Sequence, residues 1–159
     1  MRLAPLLALG LAGCAGLAAR PAPRLLPSAA AVGAALAEGR EVKAVLRYAR
    51  CTLLGEDGAE RPGPDVTGGM TIAAFERFAA GTVGNAGAYL ATSQSQLIGH
   101  PRHGHVVNYV RLRIEDGGRV GVTARYLRPP ALEVVMDETF TCAVDDGSGK
   151  GGAAFYAAP

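Results

Sequence analysis

The stretch "GHPRHGH", residues 99–105, holds His100, His103 and His105, the three histidines of the chain. Neutral imidazole is a common zinc ligand, so three of them this close raise the question of a metal site. In an extended segment His103 and His105 point the same way, about 7 Å apart at their Cα atoms, close enough to chelate. His100 could fold over Pro101 to supply a third nitrogen and leave the open position a catalytic zinc needs. Against this, Gly99, Pro101 and Gly104 are turn residues, and histidine is an ordinary polar residue in an exposed turn. No Cys or acidic residue is spaced nearby to complete a shell. The expectation is therefore no metal and no cofactor, with the three histidines kept as the alternative.

A second candidate is Glu138, in "LEVVMDETFTCAV" (132–144). Strand periodicity puts Leu132, Val134, Met136, Phe140, Cys142 and Val144 on one face, and Glu138 falls among them. Either a bulge near Asp137 resets the alternation, or a carboxylate points inward, where loss of water makes it hold its proton more tightly. The solvent-facing glutamate beyond a bulge is the simpler reading; an inward Glu138 would be the best acid–base or ligand-binding group in the chain. With it we count His100, Asn108, Tyr109, Arg125 and Tyr126 as candidate ligand contacts. No residue is assigned as catalytic, because no nucleophile–His–acid spacing and no G-x-S-x-G occurs.

"GSGKGG" (147–152) resembles a phosphate loop only superficially. The pattern wants a glycine where Val144 stands and Ser or Thr where Gly151 stands, and no room remains for the following helix.

Composition narrows the classes. With 16 Lys and Arg against 14 Asp and Glu, the net charge is +2, and no basic run offers a nucleic acid a footprint. The 22 glycines and 10 prolines imply many turns and short strands, within a length that suits one domain. Arg2 and the apolar run Leu3–Leu11 read as an export signal too short to span a bilayer as a mature helix. It ends in Leu11-Ala12-Gly13-Cys14, which looks like the bacterial lipobox, where the thiol of Cys14 takes the lipid. Residues 1–13 are thus expected as signal peptide, 14–27 as lipidated Cys and tether, and 28–159 as the domain. The anchor would make the bacterial membrane a partner. With Ala15 next to it, Cys14 points to an outer-membrane lipoprotein facing the periplasm; a soluble periplasmic or secreted protein is the alternative. An oxidising compartment leaves Cys51 and Cys142 as an even pair, expected as a structural disulfide.

The elements that must hold these residues follow from period and punctuation. Ser28 is a good N-cap for an Ala-rich helix to about Glu38, stopped by Gly39. Val42, Ala44, Leu46 and Tyr48 then alternate in a strand to about Leu53. Residues 70–78 are read as a strand against a helical alternative, and 88–99 as another. From 106 to 127 the apolar stripes align only if Asp116-Gly117-Gly118 forms a three-residue turn, pairing Ile114 with Val120 and Leu112 with Val122. That register sets Glu115 opposite Arg119 and Tyr109 beside Arg125, within reach of a cation–π contact. "AAFY" (153–156) closes the chain as a strand. The sum is a mainly β fold with one N-terminal helix, as a single antiparallel curled sheet, a sandwich or a small barrel.

Five segments, "GGMTIAAFERFAAGTVGN" (68–85), "HPRHGHVVNYVRLRI" (100–114), "VTARYL" (122–127), "MDETFTC" (136–142) and "DDGSGKGGAAFY" (145–156), resemble the VirK family of small exported bacterial proteins. The resemblance covers about residues 28–156. It implies an exported protein of plant-associated and related bacteria, named from a virulence regulon, with no established biochemical activity. The family pattern keeps a His where His100 stands but can carry aromatic residues in place of His103 and His105, which weakens the metal reading further. We expect a non-catalytic envelope domain that binds a protein or small ligand through its curved sheet. A small enzyme or metal-binding protein using Glu138 or the histidines is the alternative.

Overall fold

The computed structural model describes residues 21–159. Strand β1 (Arg24–Leu26) leads into helix α1 (Ala29–Ala37), then β2 (Val42–Arg47), β3 (Thr52–Leu54), β4 (Glu60–Pro62), β5 (Thr67–Ile72) and β6 (Glu76–Phe78). Four longer elements follow, β7 (Tyr89–His100), β8 (Gly104–Glu115), β9 (Arg119–Arg128) and β10 (Glu133–Ala143), and β11 (Ala153–Ala157) ends the fold. They form two antiparallel sheets, a small one ordered β1-β11-β2-β5 and a large one ordered β4-β3-β10-β9-β8-β7-β6. Of the three expected arrangements the two-sheet packing is found; the described residues are mainly β with one α-helix near their start.

Ser28 caps that helix as its type predicts, its Oγ accepting from the Ala31 N–H at 3.2 Å. At the other end Gly39 takes φ +74° and lets the Arg40 N–H donate back to the Ala35 carbonyl. The helix lays Val32, Ala35 and Leu36 into a core shared with Val42 and Leu46 of the small sheet and Leu112, Ile114, Val122 and Phe140 of the large one. Each Val, Leu, Ile or Phe among them, fully removed from water, contributes about 1.5–3 kcal/mol against its exposed state.

Three boundaries differ from the sequence reading. Arg24–Leu26, expected as tether, pairs with β11, and Leu26 is buried against the core. Leu26 supplies apolar area that an Ala- and Pro-rich linker would not. The strand expected from Val42 to Leu53 breaks at a 3-10 turn, Tyr48–Arg50, and passes from the small sheet to the large. Apolar residues at the odd positions Val45, Ala49, Cys51 and Leu53 carry the strand reading through this corner, although the buried Tyr48 and Cys51 are three residues apart, a spacing no continuous strand face has. The segment 70–78 breaks likewise: β5 pairs with β2, while β6 pairs with β7 in the other sheet.

The β8–β9 hairpin adopts the register its stripes require, Ile114 opposite Val120 and Leu112 opposite Val122. Arg119 donates to Glu115 through Nε and Nη2 at 2.9 and 2.8 Å. Tyr109 does lie opposite Arg125, but no cation–π contact forms there. Instead the Arg125 Nε donates to Asp137 Oδ2 at 3.0 Å, since a carboxylate within reach is a stronger acceptor than a ring face.

A cavity between the two sheets

Between the sheets lies a cavity of about 290 Å³. Its floor is the inner face of the large sheet, which presents Asn108 and Val110 from β8, Ala124 and Tyr126 from β9, and Met136, Glu138 and Phe140 from β10. Leu46, Tyr48 and the run from Pro64 to Met70 form the wall. Alternation explains the floor: the even-numbered residues of β8 and β9 that continue inward are Leu112, Ile114, Val120 and Val122, all buried.

The β10 bulge lies between Val134 and Met136, upstream of the position near Asp137 expected from sequence. The shift turns Val134 to the outer face, where it is 53% exposed, and leaves Met136, Glu138, Phe140 and Cys142 on the inner one. The solvent-facing glutamate is therefore overturned: Glu138 lines the cavity, opposite Ala124. Beside it Tyr126 is flanked by Met136 on one strand and Asn108 on the other.

Sequence reasoning missed Tyr48. It is the last inward residue of the first alternating run, and a buried Tyr with its polar tip at a cavity was the available signal. Its ring packs on Phe140 with centroids 4.7 Å apart. Burial first, then the neighbouring Tyr126 and Glu138, push its hydroxyl up to about 12, so at neutral pH it remains a protonated donor. Among the described residues, the side-chain polar atoms of Tyr48, Asn108, Tyr126 and Glu138 make no hydrogen bond to protein, and none is sealed from water. The cavity thus gathers four unpaired polar groups in an apolar wall.

The other candidates distribute around this site. Tyr109 and Arg125 stand on the outer face of the sheet, away from the cavity. His100 and His103 stack beside Tyr126, with ring centroids 4.9 and 6.1 Å from it and 4.7 Å from each other. His100 Nδ1 accepts from the backbone N–H groups of Arg102 and His103 at 3.2 and 3.3 Å, which ties down the turn. Its imidazole is lowered from its ordinary value by desolvation, then by His103 and Arg102. The extended geometry that would align His103 with His105 does not occur: the chain reverses at Gly104, φ +69°, and His105 pairs with Gly99 on the outer face. Among the described residues no three His, Cys, Asp or Glu side chains group as a metal set.

Cys51 and Cys142 are joined as a disulfide, with Cα atoms 4.5 Å apart. It pins the Tyr48–Arg50 corner to β10, and so fixes Tyr48 beside Phe140 and Glu138. The "GSGKGG" loop closes over the same corner. The buried Asp145 accepts from the N–H groups of Gly147 and Gly149 at 3.0 and 3.1 Å and pairs with Arg47 at 3.5 Å. Those loop amides point at their own carboxylate instead of outward at a phosphate. Cys14 lies outside the described residues.

A family model described as VirK protein matches residues 25–132. No curated protein matches the chain. Among solved structures, a VirK family protein from Legionella pneumophila, lpg1832, is similar at a TM-score of 0.63 and 16% identity. The likeness covers 82% of this chain and 97% of that one, and at such identity it speaks for the fold.

Proposed function

Because the chain belongs to the VirK family, we propose that it works as an exported envelope domain that binds a small ligand between its sheets, in a non-catalytic role. The observation that carries this reading is the cavity itself: Tyr48, Asn108, Tyr126 and Glu138 line it without side-chain partners among the described residues, in a mostly apolar wall. Ligand sites have this composition, a mostly apolar surface with a few placed polar groups, although about 290 Å³ is at the small end of the usual range. The disulfide suits an oxidising compartment, which supports export. The Leu11-Ala12-Gly13-Cys14 sequence supports a lipid anchor holding the domain to the outer membrane on its periplasmic side. An NMR screen of small fragments against the purified protein tests the binding role. Hits should perturb Asn108, Tyr126 and Glu138 together; a screen whose hits fall elsewhere, or nowhere, rejects it.

A further inference from the structure

We propose that the cavity takes a primary ammonium group carried on a short apolar body. This rests on the reading of the cavity as a ligand site and adds the chemistry of the ligand. Among the described residues, Glu138 is the one acidic side chain of the lining, and no Lys, Arg or His lines it. An anion placed there would stand beside a carboxylate with no cation in the lining to compensate it, which is unfavourable. A cation gains instead. The faces of Tyr48 and Tyr126 carry ring quadrupoles that attract positive charge, in addition to the carboxylate.

The acceptors further select among cations. A primary ammonium has three N–H donors. The lining offers acceptor oxygens on adjacent strands, the Glu138 carboxylate of β10 and the Tyr126 hydroxyl of β9, with the Asn108 amide beyond them on β8, none with a side-chain partner among the described residues. A quaternary ammonium would leave those acceptors unmatched, and a compact inorganic cation would leave the apolar wall of Met136 and Phe140 unused.

Hexylamine, hexanol and hexanoate share one apolar body and differ in the head group, so titrating each into the purified protein separates the terms. Calorimetry gives the affinity, and the Asn108 side-chain amide resonances report the place. The amine should bind saturably at Asn108 and more tightly than the alcohol, and the carboxylate should bind least. Glu138→Gln, nearly the same shape, should weaken the amine by about tenfold or more, the loss of one charge-assisted hydrogen bond. The ranking of the three probes on the unsubstituted protein decides the matter even if that variant fails to fold. Hexanol or hexanoate binding at Asn108 as tightly as the amine overturns the ammonium assignment and leaves the cavity a ligand site. Amine binding that survives Glu138→Gln unchanged also overturns it. If none of the three binds, the assignment falls, and the fragment screen decides separately whether the cavity binds anything.

Discussion

Gly152 lies directly against the disulfide sulfur of Cys51: a Cβ at this position would overlap that Sγ and crowd the Arg50 carbonyl. The last glycine of "GSGKGG" is thus a packing requirement of the corner that holds Tyr48. Gly152→Ala should destabilise the fold by about 1–3 kcal/mol, the usual cost of overpacking a filled site. Gly99→Ala, where nothing lies within 4 Å of an added Cβ, should stay within about 0.5 kcal/mol. Urea unfolding of both variants checks the contrast; equal losses would contradict it.

The bond between Cys51 and Cys142 closes a loop of sequence separation 91. In the chain-entropy account such a crosslink restricts the unfolded state by about 4–5 kcal/mol. Cys142→Ser should therefore lower the unfolding midpoint sharply and reduce accumulation of the exported protein. Thiol labelling of the unfolded, unreduced protein should find neither cysteine reactive. Two reactive thiols would rule the bond out.

His100 governs a pH response at the turn. Its lowered imidazole means the fold takes up this proton less readily than the unfolded chain does. The stability it allows is complete above the ordinary value of 6.5 and is lost as the pH falls through that region. Protonating Nδ1 also removes the acceptor used by the Arg102 and His103 N–H groups. In an NMR titration the His100 ring should show a midpoint below 6.5, with the two amides moving in step. A midpoint at or above 6.5 contradicts the geometry.

Zinc should leave the melting temperature of the protein nearly unchanged, because His105 stands on the other face from His100 and His103. A ligand that binds only the native state must raise the melting temperature. A saturable rise that disappears in His103→Ala would overturn this expectation.

Replacing Cys14 by Ser should move the protein from the membrane fraction to the soluble fraction of the envelope. Unchanged fractionation would remove the lipid anchor from the proposed function.

Local patterns determined a good part of this protein. The Ser28 cap, the Gly39 stop and the three-residue turn at Asp116–Gly118 follow from residue type and period, because each is decided within a few residues of chain. The stripes Leu112/Ile114 and Val120/Val122 fixed the hairpin register, since a one-residue slip would expose both. Other features depended on contacts far apart in sequence. The alternation Val42, Ala44, Leu46, Tyr48 gives way to a buried Cys51 three residues on, and there the chain crosses between sheets, because the bond to Cys142 and the close approach of Gly152 hold the corner. The bulge between Val134 and Met136 is a property of how β10 meets β9; its position turns Val134 outward and leaves Glu138 inward, in phase with Phe140 and Cys142. Asn108 and Tyr126 face each other in the hairpin register that the stripes set, whereas nothing local placed Glu138 beside them. The pairing of β10 with β9 adds Glu138 to that face, and the stacking of the small sheet over it closes the cavity beside Tyr48, because sheet packing joins faces, and a face has no address in the linear chain.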